Sequence, residues 1–544
     1  MRFNTQDETD YQSRRSPVIA PHAAVATSQP LATAAGLHIL RAGGTAADAA
    51  VAVAAALQVT QPCSTGLGGD AFFLYYEADA NRVRAYNGSG RSPASLTLDD
   101  SVQVARDGEV PPYHALTVTV PGACDAWCAA LDRFGRLPLS AVLAPAIELA
   151  ESGFPVAPIT SRWWRAGAER QLAHAPNGRE LMIGDRGPEP GERFRNPGLA
   201  AVLRAIADEG RDVFYHGWIA ERIDEVMAEA GGLLRLSDLE NHEGEWVDPI
   251  RVTYRGHTIW ECPPNGQGLA ALLALGTYAH LEPRDDSERV HAQVEAMRLG
   301  FADAAAFVAD PAVAPAPMDT LLSDSYHKSR ANGIALDSRM GSAGPGLSPG
   351  PVGDDTVYFA VADAHGNACS FINSNFMGFG TGIVPRGCGF SLQNRGRGFS
   401  LRAGHPNVVA GGKRPYHTII PGMITDAESG RLGAAFGVMG GMMQPQGHLQ
   451  VASAMIDQHA DPQAALDAPR FQLVDGDPDG AVLVEDSMPP AIVEALRCLG
   501  HEVTVVSGAR RALFGLGQVV ALDPTQSTWW CGSDPRGDGH AAGF

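Results

Sequence analysis

Charge is scarce in this chain, and what there is leans acidic. Charged residues make up 19% of the 544, with 41 basic against 61 acidic side chains and a formal net charge of −20. No run of five Lys or Arg occurs. Phosphate backbones would be repelled by such a surface, so no nucleic-acid partner is expected. Cysteine is sparse too. Cys63, Cys124, Cys128, Cys262, Cys369, Cys388, Cys498 and Cys531 are too few for a disulfide scaffold, and no CxxC pair offers a zinc or redox site. They read as small buried apolar side chains, and dispersed thiols favour a reducing compartment. Long apolar runs are also missing. Ala46 to Val59 is interrupted by Asp48 and too short to span a bilayer. The lead MRFNTQDETDYQSRRSP lacks the apolar core of a secretory signal. A cytoplasmic protein with no membrane partner is therefore expected. Nucleotide motifs are absent: GLGGD at 66–70 lacks GxGxxG spacing and reads as a turn with close backbone packing. His291 and Glu295 stand one turn apart, but HAQVE is not HExxH and no third ligand is evident. They read as a solvated helix face. No metal and no cofactor is called for.

Glycine and proline are plentiful, at 62 and 38 residues, which implies many tight turns. The length exceeds what one core usually fills, so either several domains or one large layered α/β unit is expected. Residues 1–20 read as a disordered lead. Pro30 to Gln58 reads as two helices broken at Gly43-Gly44, with Thr45 able to cap the second. Ala71 to Tyr76 and Val83 to Tyr86 read as a hairpin turning near Asn81. From about 120 to 335 the pattern is mainly helical, with a strand pair at Ile250–Tyr254 and Thr258–Glu261. Then composition changes. Residues 340–355, MGSAGPGLSPGPVGDD, read as a flexible linker. Beyond it, short β-like runs separated by Gly-rich turns dominate. The division expected is a segment 21–355, helix-rich and ending in the linker 340–355, and a β-rich segment 356–544, joined in a layered α/β sandwich.

The window DDTVYFAVADAHGNACSFINSNFMGFGTGIV, residues 354–384, carries the chemistry. Thr356–Ala362 and Ala368–Ser374 flank the turn 363–367, which makes a hairpin. It places a threonine at the first position of a buried strand, directly after the loose linker. A hydroxyl needs an adjacent base before it attacks. Cutting the bond between Asp355 and Thr356 would release an α-amine with a reference pKa near 7.7–8.0, able to serve as base for its own residue's hydroxyl.

The chain resembles the γ-glutamyltransferase family, and more closely its branch of γ-glutamyltransferase-like amidohydrolases that includes oxamate amidohydrolase. The resemblance runs from about Ala26 to Phe544. It rests on SQPLATAAGLHILRAGGTAADAAVAVAAAL, TGLGGDAFFLYY, LAPAIELAESGFPV, the DTVYF window, FGTGIV, GKRPYHTIIP, FGVMGG and the terminal GSDPRGDGHAAGF, in family order. It implies the four-layer αββα sandwich of N-terminal-nucleophile hydrolases, built jointly by two autocleavage fragments that stay associated. Thr356 then matches the nucleophile freed by cleavage after Asp355. Ser374 matches the hydroxyl that supports it, and Gly440 and Gly441 match the pair whose N–H groups form the oxyanion hole. The activity implied is self-processing amide hydrolysis or acyl transfer through an acyl-enzyme on Thr356, with a small amide as partner. Homo-oligomerisation is left open.

The departures concern the substrate. The family's Asp that grips a γ-glutamyl ammonium, three residues beyond a Gln, falls at Gly398, with that Gln at Arg395, and its assisting Asn falls at Phe376. Its carboxylate-binding Arg falls at Ser89, with Arg91 two residues on, and its Ser-Ser pair becomes His417-Thr418. Arg91, Arg395, His417, Thr418 and Asn373 are the expected substrate-binding residues, with Arg414 as a further cation. Cations without a carboxylate favour an amide carrying an acid but no free amine, such as oxamate or a glutaryl amide. Two rivals are weighed. Gly346-Leu347-Ser348-Pro349-Gly350 fits GxSxG, but lacks the strand before and helix after that a nucleophile elbow needs. A processed but inactive binding protein is the other; it would have no need to keep Thr356, Ser374 and the Gly pair.

Overall fold

The computed structural model describes residues 15–343 and 355–544. Most of the linker, including the Ser348 pattern, and residues 1–14 lie outside the described residues. Two seven-stranded antiparallel sheets stack face to face with helices on both outer sides, which is the αββα order expected. In the first sheet the strands run His540–Gly543, Ala24–Thr27, Asp355–Ala362, Ala368–Phe376, Asp70–Glu77, Arg82–Gly88 and Glu245–Val247. In the second they run Val18–Ala20, Thr528–Ser533, Leu516–Asp523, Leu432–Met439, Gly422–Asp426, His257–Glu261 and Ile250–Tyr254. Both sheets mix strands from before and after the linker.

The layering follows from strand periodicity. Along Asp355–Ala362, Val357, Phe359 and Val361 join the core under the outer helices, while Tyr358, Ala360 and Ala362 face the second sheet. Both faces are buried, so the run is apolar throughout rather than alternating. The outer layer over the first sheet includes Pro30–Arg41, Ala46–Thr60, Ala123–Phe134 and Leu139–Ser152. Ala46–Thr60 is buried along its whole length, and its Ala content lets it lie close on the sheet; Thr45 and Asp48 close a capping box at its start. Over the second sheet lie Gly268–Tyr278, Asp286–Phe307 and Met443–Asp457.

Three expectations need correcting. The end of the expected disordered lead is built into the fold: Val18–Ala20 pairs with Thr528–Ser533, and Arg15 Nη1 reaches the Gly539 carbonyl at 3.0 Å. The last third is less β-rich than its runs suggest, because it carries Met443–Asp457, Pro462–Asp467 and Pro490–Cys498 as helices. Pro445 hid the first of these; it sits in the opening turn, where its missing N–H costs nothing. Seven of the eight free thiols are buried as expected, but Cys498 is exposed. Among the described residues no helix is long and apolar enough to cross a membrane.

Candidate active site

Thr356 lies at the start of its strand, buried, in the middle of the first sheet. Its hydroxyl donates to Ser374 Oγ at 3.0 Å. The hairpin register brings them together, because the two strands pair antiparallel with a shift between Asp355 and Val357. Ser374 Oγ also accepts from the Phe376 N–H at 2.9 Å and from Arg395 Nη2 at 3.2 Å. The Gly-rich turn before Asp70 packs directly on this strand: a Cβ at Gly69 would lie 2.2 Å from the Ser374 carbonyl oxygen, so only glycine fits.

Arg395 is completely buried. Its second Nη donates to Thr418 Oγ1 at 2.8 Å, its guanidinium carbon stands 4.2 Å over the Phe376 ring, and among the described residues its Nε–H has no acceptor. Burial pulls its pKa down to about 9, against the opposing pull of Asp70. Phe376 holds a φ of +80°, a left-handed conformation that a bulky side chain resists and Asn tolerates. The stacked cation gives that ring a reason to be there.

Asp70 is the hub that the sequence reading missed. One carboxylate oxygen accepts from the Gly90 N–H at 3.0 Å, the Gly122 N–H at 3.0 Å and Gln393 Nε2 at 2.9 Å; the other meets His417 Nε2 at 3.0 Å. Burial would raise its pKa, yet the His417 hydrogen bond, the Arg395 charge and Gln393 hold it below the usual value. His417 is itself pushed down to about 4 by burial and by the Arg395 charge. The ring is therefore neutral near pH 7, with Nε2–H donated to Asp70 and Nδ1 facing the Ile419 N–H at 3.4 Å. The only sequence signal for this hub was an acid opening an otherwise apolar strand.

Gly440 and Gly441 follow the strand Leu432–Met439 and turn into the helix Met443–Asp457, with φ of +129° and +55°. Among the described residues neither N–H donates to a protein acceptor, and the Gly441 carbonyl is held by Gln267 Nε2 at 2.9 Å. The same Gln267 Nε2 donates to the Thr418 carbonyl at 2.6 Å, tying the glycine turn to the His417-Thr418 segment. A cavity of about 220 Å³ adjoins this assembly, bordered by Phe376, Gly398, Phe399, Tyr416, Thr418 and Met442.

The structure thus brings Ser374, Arg395, His417 and Thr418 around Thr356. It does not bring Arg91, which pairs with Asp310 at 3.0 Å and Glu245 at 3.2 Å, or Arg414, which pairs with Glu245 at 2.9 Å and donates to the Ser89 carbonyl at 3.1 Å. Asn373 points away by strand alternation. It accepts from Trp127 Nε1 at 3.2 Å and donates to the Gly66 and Asp70 carbonyls at 3.3 and 3.1 Å, on the face under the outer helices. The His291–Glu295 pair is corrected as well. Both are buried rather than solvated, and His501 joins them, its Nε2 2.8 Å from His291 Nδ1. The Arg298 guanidinium stands 3.2 Å from the Glu295 carboxylate and 3.5 Å from His501 Nδ1, so a cation already serves the cluster. The Met340 N–H donates to the Glu295 carboxylate and His291 Nε2 meets the Ala335 carbonyl, which fastens the chain where the linker begins.

Residues 32–544 match the family model described as gamma-glutamyltranspeptidase. This chain belongs to the gamma-glutamyltranspeptidase family. It is 37% identical over 536 residues to the glutathione hydrolase-like YwrD proenzyme of Bacillus subtilis, covering 97% of this chain and 98% of the relative. It is 35% identical over 536 residues to the oxamate amidohydrolase proenzyme of Klebsiella pneumoniae, covering 97% and 99%. Among solved structures, cephalosporin acylase from Bacillus halodurans superposes with a TM-score of 0.90 at 43% identity, covering 100% of this chain and 99% of the acylase. Membership of the gamma-glutamyltranspeptidase family makes the protein an N-terminal-nucleophile hydrolase acting on amide bonds, with the fold that family shares.

Proposed function

We propose that this chain cuts itself between Asp355 and Thr356 and then hydrolyses an amide whose acyl half carries an anionic group and no ammonium. The freed Thr356 amine takes the proton of its own hydroxyl, and the oxygen attacks the amide carbon. The developing oxyanion is received by the Gly440 and Gly441 N–H groups, whose lack of an internal acceptor supports that role. The protonated amine gives its proton to the leaving nitrogen, and water, deprotonated by the same amine, resolves the acyl-enzyme. An acceptor amine in place of water would give transfer.

One observation carries the specificity. Asp70, the carboxylate beside the cluster, already takes four donors, whereas among the described residues the Arg395 Nε–H has no acceptor. A substrate ammonium would be buried next to a cation and unpaired; an anion would be paired. Arg395 is therefore assigned the substrate anion, with Thr418 beside it, in place of the surface-paired Arg91. Of the relatives' names, that of the oxamate amidohydrolase fits this reading, since oxamate has an acid and no separate amine; that of the glutathione hydrolase-like proenzyme fits a γ-glutamyl substrate instead. We assign the two products of cleavage, residues up to 355 and from 356, to one enzyme, because each sheet takes strands from both.

The test is direct. Wild-type protein should run as fragments of about 37 and about 20 kDa in proportion to length. The smaller should begin TVYFAV, and Thr356→Ala should stay whole and inactive. Purified enzyme should then turn over oxamate or a glutaryl anilide faster than a γ-glutamyl anilide. Normal processing of Thr356→Ala would move the nucleophile elsewhere, and equal turnover of the γ-glutamyl compound would remove the anion assignment.

A further inference from the structure

Two cavities border the Gly440–Met442 turn and share no lining residue. Met442 borders the 220 Å³ cavity together with Phe376, Gly398 and Thr418. Gly440 instead borders a cavity of about 390 Å³ walled by Trp163, Met439, Arg510 and Leu513. That space continues past Trp163, Ala509 and Ala512 into one of about 300 Å³ that adds Arg162, Arg511 and Arg536. Among the described residues no carboxylate lines either part of this groove. Arg511 and Arg536 are already paired with the buried Glu485. Arg162 and Arg510, each lining a space that Trp163 also lines, are exposed and have no ion-pair partner among the described residues. On a chain with a net charge of −20, this is a local reversal of sign.

An amide has two halves, and its carbonyl oxygen must sit at the oxyanion donors while the halves leave in different directions. On the reading given above, the acyl half enters the cavity bordered by Phe376 and Thr418. The groove that begins at Gly440 then lies on the other side of the scissile bond. We propose that this groove is the subsite for the amine half, and that it takes an amine with a flat apolar body bearing a carboxylate. The body packs on Trp163 between Met439 and Leu513, and the carboxylate is paired by Arg510, with Arg162 further along. The inference rests on the assignment of Gly440 and of the acyl cavity, and it adds what neither states: the half of the substrate that departs is itself recognised, by a ring and a cation.

The test uses the full-length Thr356→Ala chain, in which the groove is present and nothing is consumed. Binding of 4-aminobenzoate and of aniline is measured by calorimetry and by quenching of tryptophan fluorescence. We expect 4-aminobenzoate to bind at least about tenfold tighter than aniline, the least that one charge-assisted contact should give. Arg510→Ala should remove that margin, and Trp163→Leu should weaken both ligands. Arg510 is exposed, so its loss does not threaten the fold. Equal binding of the two ligands, no binding of either, or an unchanged margin in Arg510→Ala overturns the proposal. In processed enzyme, amides that share one acyl group and differ only in 4-aminobenzoate or aniline as leaving amine should show the same preference in kcat/KM, reduced toward one by Arg510→Ala. Failure of both amides to react while 4-aminobenzoate still binds would count against the acyl-side reading and leave the groove standing. Turnover of both without discrimination would count against the groove alone.

Discussion

Arg395, proposed above to take the substrate anion, is a fully buried cation 3.2 Å from Ser374 Oγ, close enough to act on the groups near Thr356. Arg395→Gln keeps a hydrogen-bonding head group and removes the charge. It should raise KM for a carboxylate-bearing amide by about tenfold or more, the value of one charge-assisted contact. It should also move the acidic limb of kcat/KM to higher pH, since removing a neighbouring cation makes an ammonium harder to deprotonate. A structural role alone would not shift that limb. Arg91→Ala, by contrast, should leave KM near the wild-type value, because Asp310 and Glu245 already hold that side chain away from the cluster. Restoring a carboxylate at Gly398 is a poor probe: a Cβ there would stand 2.6 Å from the Tyr416 carbonyl oxygen. Phe376→Asn is the better one. It relieves a φ of +80° and unstacks Arg395, so activity should fall while thermal stability holds or rises. Initial rates and a thermal melt on the same preparation check both halves of that expectation.

At the scale of elements, the hairpin 355–376 was legible because its apolar runs, its turn and its register are local in sequence. That locality set Thr356 opposite Ser374. The same alternation decides against Asn373, one residue along and on the other face. What sequence could not show is whatever the two sheets bring together from afar. Asp70 meets His417 across 347 positions, His291 meets His501 across 210, and the Gly440 groove takes Trp163 from a helix far away in sequence. The terminal GSDPRGDGH motif gains a physical reason in the same way. Asp534 is buried between Arg470 at 2.8 Å and Arg536 at 3.1 Å and accepts from the Gly517 N–H at 2.8 Å. Asp534→Ala would leave the buried Arg470 guanidinium without its carboxylate and Arg536 with Glu485 alone. It should cost about 3–5 kcal/mol in chemical unfolding of the Thr356→Ala chain, as breaking a buried pair does. A loss below 1 kcal/mol would mean that water enters to solvate the pair.

For the molecule as a whole, the buried histidines set its tolerance of acid. Burial, helped by neighbouring cations, lowers His417 and His242 to about 4 and His501 to about 3; burial and His280 lower His327 to about 4. Each is neutral when folded and has an unfolded value near 6.5. The unfolded chain therefore binds more protons below that value, and stability present above pH 6.5 is lost as pH falls toward 4. Thermal midpoints at pH 7.5, 6, 5 and 4.5 should fall by several degrees over the series, steepening at the acid end; a flat series would contradict these four assignments. The strand order of the first sheet has a last consequence. Ala24–Thr27 is clasped between His540–Gly543 and Asp355–Ala362, the last and first strands of what self-cutting would make the smaller piece. Before the cut, one chain holds every strand by covalent connection, so dilution cannot separate the pieces of either sheet. After it, the native state is an obligate pair, and losing the fold means losing the partner. Diluting the processed enzyme a hundredfold should then lower its unfolding midpoint by mass action, while the Thr356→Ala chain stays where it was.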